Sequence, residues 1–166
     1  MTTPMTTNNI RKMPVVLTEK VKPQWVDYNN HLNDAEYARV FSMALEEFLL
    51  LIGFDEDFRR DYQYTVFTLE NHICYLKEAL LGEELQVGLQ ILDFDEKRIH
   101  LFFTMINAPG ELLSTSEQMI MGINIPTGKP EAFPDPLFRQ IKSRGLEDQN
   151  KEKPPQAGRV IKIRRK

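Results

Sequence analysis

The sequence predicts an α+β fold in which a curved antiparallel β-sheet wraps around one long central helix. Three observations support this fold class: one long segment has apolar residues at helical spacing, four later segments alternate as strands do, and short polar links join those segments. The chain has 166 residues, of which 42% are hydrophobic, and this is enough to bury the core of one domain. A single domain is therefore expected.

The long helix is predicted to begin at Asp34. From there apolar residues recur every three or four positions, as they do in a helix that packs on a core through one face. These residues are Tyr37, Val40, Phe41, Ala44, Leu45, Phe48, Leu51 and Ile52. Asn33 and Glu36 have the spacing of a reciprocal N-terminal cap, and Gly53 can adopt the left-handed conformation that follows a helix end. The helix is therefore expected to stop just before Gly53.

Five strands are expected in the sheet. A short β-prone segment at 15–21 precedes the helix, and alternating segments follow it at 64–76, 84–94, 98–107 and 112–125. The links between the last three segments are short and contain turn residues, which predicts an antiparallel meander. Two of these strands carry a row of large apolar side chains on one face, and the long helix is the expected cover.

The predicted domain covers residues 15–145, and the chain outside it is expected to be less ordered. Residues 1–14 are polar and lack the apolar stretch of a secretory signal, so we expect a flexible N-terminus in a cytoplasmic protein. A short last helix is expected to begin at Asp135 and Pro136 and to end near Gly145.

Residues 146–166 are expected to form a basic, disordered C-terminal tail. Within them, residues 151–166 carry seven Lys or Arg and one Glu, so their local charge is +6 in a chain whose net charge is −3. Contact with an anionic ligand or partner would explain this charge, but so would a solvated end with Pro154 and Pro155 as a spacer. We favour the solvated end.

The composition argues against several classes of partner and cofactor. A net charge of −3 gives no positive field for nucleic acid or an anionic membrane, and no apolar run approaches the roughly 20 residues that cross a bilayer. Cys74 is the single cysteine and cannot form an internal disulfide, and no Cys/His spacing indicates zinc. The sequence contains no Gly-rich phosphate loop and no Gly-x-Ser-x-Gly elbow. We therefore expect a cytoplasmic protein without a metal, a cofactor, or a nucleic-acid or membrane partner.

Segment 25–37 reads WVDYNNHLNDAEY and resembles the strand-to-helix signature of the hotdog-fold acyl-CoA thioesterases of the 4-hydroxybenzoyl-CoA thioesterase type. Segments 69–76, 95–102 and 114–117 are similar to the branch that contains the betainyl-CoA thioesterases of carnitine metabolism. This resemblance implies a hotdog fold and a hydrolase that splits a small or medium acyl-CoA into free acid and coenzyme A. It also implies a homodimer or a tetramer in which subunits pair edge to edge.

By this resemblance Asp27 is the catalytic carboxylate, which attacks the thioester carbonyl or activates a water. The backbone amides of residues 31–34 then bind the developing oxyanion. Physical chemistry supports this placement independently, because a helix start offers unpaired amides and the positive end of a dipole. The alternative is that Asp27 caps the amides of Asn29 or Asn30 in a turn.

His31, Asn30 and Asn33 complete the predicted catalytic group. His31 either donates to the thioester oxygen or is an interfacial histidine that binds a backbone carbonyl. The two asparagines could orient the water or the carbonyl, but turn formation and helix capping explain them as well. Relatives in this branch more often have glycine at the Asn30 position, so the backbone conformation there is an open question.

Four aromatic or polar residues are candidates for binding the substrate. Trp25 and Tyr28 could form an aromatic wall around a quaternary ammonium acyl group such as betaine, although both could be ordinary core aromatics. Glu70 and His72 lie two positions apart on a strand and therefore point to the same face. They contact the substrate or, alternatively, form a surface or inter-subunit salt bridge.

Glu117 is the fifth predicted substrate-binding residue. It is expected on the last strand, on a mostly apolar face where a buried carboxylate needs a partner. Arg98 or His72 could supply that partner.

Two other functions compete with thioester hydrolysis. A hotdog hydratase has an Asp-x-Asn-x-x-His motif, but segment 27–31 has one residue fewer before its histidine. A non-catalytic acyl-CoA sensor would use the same pocket and contact another macromolecule through the basic tail. No DNA-binding helix pair is recognisable in the sequence to support the sensor.

Overall fold

The structure is a computed structural model that describes residues 13–165. Its five strands form one antiparallel sheet in the order β1-β3-β4-β5-β2. The strands are β1 (Val15–Lys20), β2 (Tyr64–Tyr75), β3 (Glu84–Phe94), β4 (Arg98–Asn107) and β5 (Leu112–Asn124). The helices are α1 (Asp34–Leu51), α2 (Glu56–Tyr62) and α3 (Asp135–Asp148), with a short 3-10 turn at Pro23–Trp25. The predicted α+β plan, including the meander of β3, β4 and β5, is confirmed.

The start and end of α1 follow from local sequence signals. Asn33 Oδ1 accepts a hydrogen bond from Ala35 N at 3.0 Å, and Gly53 takes a φ of +90° just beyond the helix. The reciprocal half of the expected cap is not formed, because Glu36 Oε2 accepts instead from Arg39 Nε at 2.5 Å. The predicted cap is therefore correct for Asn33 and wrong for Glu36.

The hydrophobic core lies between α1 and one face of the sheet. The strand residues on this face are buried, as predicted: Leu85, Val87, Leu89, Ile91, Ile99, Leu101, Phe103 and Met105. Near the middle of the interface the rings of Phe41 and Phe103 are 6.2 Å apart. Leu51 is 55% exposed, whereas Leu49 is buried, because Leu49 follows Leu45 by four positions and continues the buried stripe.

The C-terminal helix extends beyond the predicted end at Gly145. It continues to Asp148, whose Oδ2 accepts from Ile91 N on β3 at 2.8 Å. Gly145 is required for close packing, since a Cβ there would lie 2.3 Å from the ring of Phe94. The glycine therefore brings α3 onto the sheet and does not terminate the helix.

The chain after α3, residues 149–165, is called here the C-terminal segment, and it crosses the sheet face opposite α1. Gln90 Nε2 on β3 donates to the carbonyl of Glu152 at 3.4 Å, and the next two contacts reach β5 and β2 through Glu117 and Cys74. Pro154 is buried. The expectation of a disordered tail is therefore wrong for the part of the tail that makes these contacts.

At the other end of the chain, residues 1–12 of the predicted flexible N-terminus lie outside the described residues. Met13 is buried, and the carbonyl of Pro14 accepts from Leu89 N at 3.2 Å, so these two residues extend the edge of the sheet. No helix among residues 13–165 is both long and apolar enough to cross a bilayer.

Candidate active site

The loop that precedes α1, residues 26–33, is called here the Asp27 loop. Two of its backbone amides donate hydrogen bonds to the side chain of Asp27. Asp27 Oδ1 accepts from Asn29 N at 2.8 Å and from His31 N at 3.2 Å. The backbone of Asp27 also pairs with the backbone of His31, donating from N to O at 2.9 Å. Both of these side-chain bonds fall on Oδ1, and among residues 13–165 no hydrogen bond is found for Oδ2. Oδ1 therefore has the turn-forming role that was the alternative for Asp27, and Oδ2 is available to react.

The backbone at Asn30 has a left-handed conformation, with φ 60°. Its carbonyl accepts from Leu81 N at 3.1 Å and ties the loop to the segment before β3. Only glycine and, less often, asparagine or aspartate adopt this conformation at low cost, which accounts for glycine at this position in the branch that the sequence resembles. The side chain of Asn30 is exposed.

The backbone amides predicted to form an oxyanion hole are mostly used inside the protein. His31 N donates to Asp27, while Leu32 N and Asn33 N donate to backbone carbonyls at 2.8 and 2.9 Å. Asp34 N remains without an acceptor among the described residues, since it is the first residue of α1 and has no intrahelical partner. The predicted set of four amides is thus reduced to that of Asp34.

A cavity of about 540 Å³, called here the Asp27 cavity, opens at the start of α1. Asp27, His31 and the first residues of α1 line one side of it, and the end of β2 with the residues after it lines the other side. The latter are Tyr75, Leu76, Lys77 and Glu78. These four residues were not predicted at the site, because they are about 50 positions from Asp27 and reach it through the fold of the sheet.

Two tyrosines form the aromatic part of this cavity. The rings of Tyr37 and Tyr75 meet edge to face, with centroids 5.2 Å apart. The Tyr37 hydroxyl donates to the carbonyl of Lys77 at 3.3 Å and accepts from Ala79 N at 3.1 Å. Burial raises the pKa of both phenols above the ordinary value for tyrosine, so both hydroxyls stay protonated at neutral pH.

The predicted aromatic wall of Trp25 and Tyr28 is not formed within one chain. Trp25 is buried in the core with the ammonium of Lys22 4.6 Å from its ring centroid, and Tyr28 is 95% exposed. Neither residue lines the Asp27 cavity, where Tyr37 and Tyr75 take the place of the wall.

A second cavity of about 840 Å³, called here the tail cavity, lies along β2 beneath the C-terminal segment. The three predicted substrate-binding residues Glu70, His72 and Glu117 all line it, together with Arg159 of the C-terminal segment. Tyr75 lines this cavity as well as the Asp27 cavity. The structure therefore places Asp27, His31 and Asn33 in one cavity and Glu70, His72 and Glu117 in a neighbouring one, whereas Trp25, Tyr28 and Asn30 line neither.

The partner of Glu117 is His100, which the sequence analysis did not single out. Glu117 Oε1 lies 2.7 Å from His100 Nε2, whereas Arg98 pairs with Asp95. His72 faces Glu117 across the β2–β5 register but lies 3.9 Å from the sulfur of Cys74 and is not bonded to the carboxylate. The expected partners were wrong because the register sets His100 diagonal to Glu117, and register was not readable from either strand alone.

Among residues 13–165, no three His, Cys, Asp or Glu side chains are placed to hold a metal ion together. The Asp27 cavity contains a carboxylate with one oxygen held by hydrogen bonds, a backbone amide at a helix start, a histidine and two tyrosines. Such a set can attack or hydrate a carbonyl carbon and stabilise the oxyanion that results.

Comparison with known proteins identifies the family. Residues 21–141 match the Thioesterase-like superfamily. The chain is 36% identical over 147 residues to an L-carnitine dehydrogenase/betainyl-CoA thioesterase of a Rhizobium species, covering 88% of this chain but only 29% of that protein. It is 33% identical over 142 residues to the betainyl-CoA thioesterase of Pseudomonas aeruginosa, covering 85% of this chain and 89% of that protein.

A solved structure agrees with these sequence relatives. A hypothetical protein of Staphylococcus aureus, solved in complex with CoA, superposes with a TM-score of 0.87 at 38% identity and covers 92% of this chain and 97% of that one. The hotdog fold and the resemblance to betainyl-CoA thioesterases are thereby confirmed. The chain belongs to the thioesterase-like superfamily.

Proposed function

We propose that this protein hydrolyses the thioester of a small or medium acyl-CoA, with betainyl-CoA as the preferred substrate, to the free acid and coenzyme A. The observation that carries the proposal is the Asp27 cavity, which Asp27 and Asp34 both line. Among residues 13–165 neither Asp27 Oδ2 nor Asp34 N has a hydrogen-bond partner. The names of the relatives support the reaction class.

Asp27 supplies the carboxylate for the attack, either as nucleophile or as general base. As a base it takes a proton from water while the water oxygen adds to the carbonyl carbon; as a nucleophile it forms a mixed anhydride that water then hydrolyses. In both routes the C–S bond breaks and the coenzyme A thiolate leaves and is protonated. Asp34 N and the positive end of the α1 dipole stabilise the oxyanion.

The other predicted catalytic residues divide between chemistry and support. The ring of His31 lines the cavity, and we assign it to donating a hydrogen bond to the thioester oxygen. Asn33 caps α1, and Asn30 supplies the left-handed residue of the loop. We therefore assign the two asparagines to positioning Asp27 and Asp34 N.

The charge of the Asp27 cavity favours a cationic acyl group. Three carboxylates line it, those of Asp27, Asp34 and Glu78. Among the described residues that line it, Lys77 is the single lysine or arginine, and the ammonium of Lys77 forms an ion pair with Glu111. The aromatic faces of Tyr37 and Tyr75 add cation–π attraction for a trimethylammonium group. These features suit betaine better than a neutral acyl group of the same size.

We also propose that two copies of the chain pair through β2 in the cytoplasm, as a homodimer or as part of a tetramer. Among residues 13–165, β2 lies at the edge of the sheet and pairs with β5 alone, so its other edge has unpaired backbone groups. Phe67 and Leu69 on this strand are 52% and 49% exposed, which an adjoining subunit would cover.

Thiol release tests this proposal with two substrates of matched shape. Betainyl-CoA and 3,3-dimethylbutyryl-CoA differ in one atom, a charged nitrogen in place of a neutral carbon, and we expect about tenfold higher kcat/KM for the former. Asp27→Asn should lower kcat by a factor of about 10² to 10⁴. The variant should fold, because its amide oxygen can still accept from the two loop amides.

Asp55→Asn is a matched control, since Asp55 also accepts from a backbone amide, that of Phe58 at 2.8 Å, at the start of α2. It should leave kcat unchanged. Wild-type turnover by Asp27→Asn would contradict the catalytic assignment. Hydration of a 2-enoyl-CoA, or tight acyl-CoA binding without turnover by the wild type, would favour the hydratase or the sensor instead.

A further inference from the structure

We infer that the C-terminal segment is a coenzyme A-binding arm whose cations, beginning with Arg159, hold the phosphate groups of the substrate. The inference rests on the proposed function and adds to it a site for the phosphorylated end of acyl-CoA. It starts from where the sheet places the basic residues at the end of the chain.

The C-terminal segment is anchored at its middle by the half-buried carboxylate of Glu117. Glu117 Oε2 accepts from Gly158 N at 2.7 Å, and its Oε1 is bonded to His100, so both carboxylate oxygens are occupied. The side chain of Glu117 is only 15% exposed. We therefore assign Glu117 to positioning the segment, which revises its expected role as a direct substrate contact.

Gly158 sets the direction of the chain after this anchor. Its φ of +71° is a left-handed conformation that side-chain-bearing residues seldom adopt. The turn carries Arg159 over β2, where its Nη1 lies 3.9 Å from the sulfur of Cys74 and its side chain lines the tail cavity. Arg159 is exposed, and the fold places it at the edge of the cavity.

The cations that follow have no acidic partners of their own. Lys162, Arg164 and Arg165 are exposed, and among residues 13–165 neither they nor Arg159 forms an ion pair. Four cations without acidic partners that follow an anchored glycine suit a polyanion, and arginine is well suited to phosphate because its guanidinium can donate two parallel hydrogen bonds. Coenzyme A carries a diphosphate and a 3′-phosphate.

The position of the tail cavity fits the neutral part of the same molecule. It extends along β2 from Glu70 to Tyr75, and Tyr75 also lines the Asp27 cavity. Its volume of about 840 Å³ is within the range of small-molecule sites. A coenzyme A whose thioester lies at Asp27 would pass Tyr75 into the tail cavity, which Arg159 lines.

The experiment compares two thioesters of the same acyl group, one on coenzyme A and one on pantetheine, which lacks the phosphates of the nucleotide. The triple variant Arg159→Ala, Lys162→Ala, Arg164→Ala should raise KM for the acyl-CoA at least about tenfold, with kcat and the KM for the acyl-pantetheine within about twofold of wild type. Glu117→Gln should give the same split, because it loosens the arm without removing a cation.

The matched control removes three exposed cations elsewhere, with the substitutions Lys129→Ala, Arg139→Ala and Lys142→Ala, and should leave both KM values unchanged. Unchanged KM for acyl-CoA in the arm variant, or an equal rise for both thioesters, would overturn the inference. A shift of the arm variant to a smaller species in size-exclusion chromatography would also overturn it, because the segment would then contact a second copy of the chain.

Calorimetric titration with coenzyme A separates this inference from the proposed function. Should the wild type hydrolyse no acyl-CoA, the proposed function fails, yet the binding arm is still tested by the Kd of coenzyme A. A Kd at least about tenfold weaker in the arm variant than in the control supports the arm, and equal Kd values overturn it.

Discussion

The Asp27 loop and the C-terminal segment both line cavities along β2, but they are held in place by different kinds of contact. The side-chain bonds that fix Asp27 join residues two and four positions apart. The bonds that fix the C-terminal segment join residues 41, 62 and 85 positions apart. The Asp27 carboxylate is thus positioned by its own loop, whose backbone also bonds Ala79 and Leu81, whereas the position of the segment depends on the completed sheet.

This difference has a physical consequence for stability. Short-range bonds close small loops at little entropic cost and form whenever the local chain is ordered. The C-terminal segment has few buried apolar contacts beyond Pro154 and ends in exposed residues, with Ile161 88% exposed. Regions of this kind open at a lower free energy than the core, so we expect the arm to detach before the Asp27 loop is disturbed.

The largest expected change comes from Asp148→Ala, which breaks the long-range anchor that precedes the segment. Asp148 Oδ2 accepts from the buried Ile91 N, and the variant leaves that amide without a partner. We expect the free energy of unfolding to fall by about 1–3 kcal/mol, measured by urea denaturation. Because the Asp27 loop is held by its own bonds, kcat should stay within about twofold of wild type.

Glu147→Ala is the control for this variant, since Glu147 is the exposed neighbour of Asp148 on α3. We expect a change in stability within about 0.5 kcal/mol. A tenfold fall in kcat for Asp148→Ala would show that the Asp27 loop depends on the contacts that hold the C-terminal segment.

The same distinction explains how much of the fold was predictable from the sequence. The bounds of β3 and β4 agree with the predicted segments at 84–94 and 98–107, because alternation and turn residues are local signals. Gly145 was interpreted as a helix end because glycine often follows one, but its reason is the ring of Phe94, 51 positions earlier in the sequence. No local pattern carries that contact.

The candidate site likewise contains residues that a local sequence pattern identified and residues that it did not. Asp27 and the cap at Asn33 were identified from one continuous segment, and the structure places both at the start of α1. Tyr75 and His100 were missed as site residues, because each reaches its cavity through strand pairing with a register that the sequence leaves open. The catalytic role of Asp27 is still a prediction.

An intermediate effect is expected at Asn30, because a substitution there directly disturbs the backbone conformation of the Asp27 loop. Asn30→Val puts a β-branched residue at φ 60° and should cost about 1–2 kcal/mol of unfolding free energy, with a loss of kcat because Asp27 is displaced. Asn30→Gly should retain both stability and kcat. Thermal unfolding and thiol release measure the two effects.

Asn29→Val is the matched control, because Asn29 is exposed and has no positive φ. We expect its effect on stability to stay within about 0.5 kcal/mol. Equal loss of stability for Asn30→Val and Asn30→Gly would mean that the asparagine side chain, and not its backbone conformation, supports the loop.

The smallest expected effect concerns a second locally determined turn, between β3 and β4, and it depends on pH. Arg98 donates from Nε to Asp95 Oδ2 at 2.7 Å, and this bond holds the pKa of the Asp95 carboxyl below its usual range. A pKa that is lower in the folded than in the unfolded chain stabilises the fold above the ordinary value of about 4, and this contribution is lost as the pH falls through the folded pKa. Asp95→Asn should therefore cost about 0.2–1 kcal/mol at pH 7, as for exposed ion pairs, and progressively less towards pH 3. Urea denaturation of both proteins at several pH values measures the difference, and a difference that grows as the pH falls would contradict the assignment.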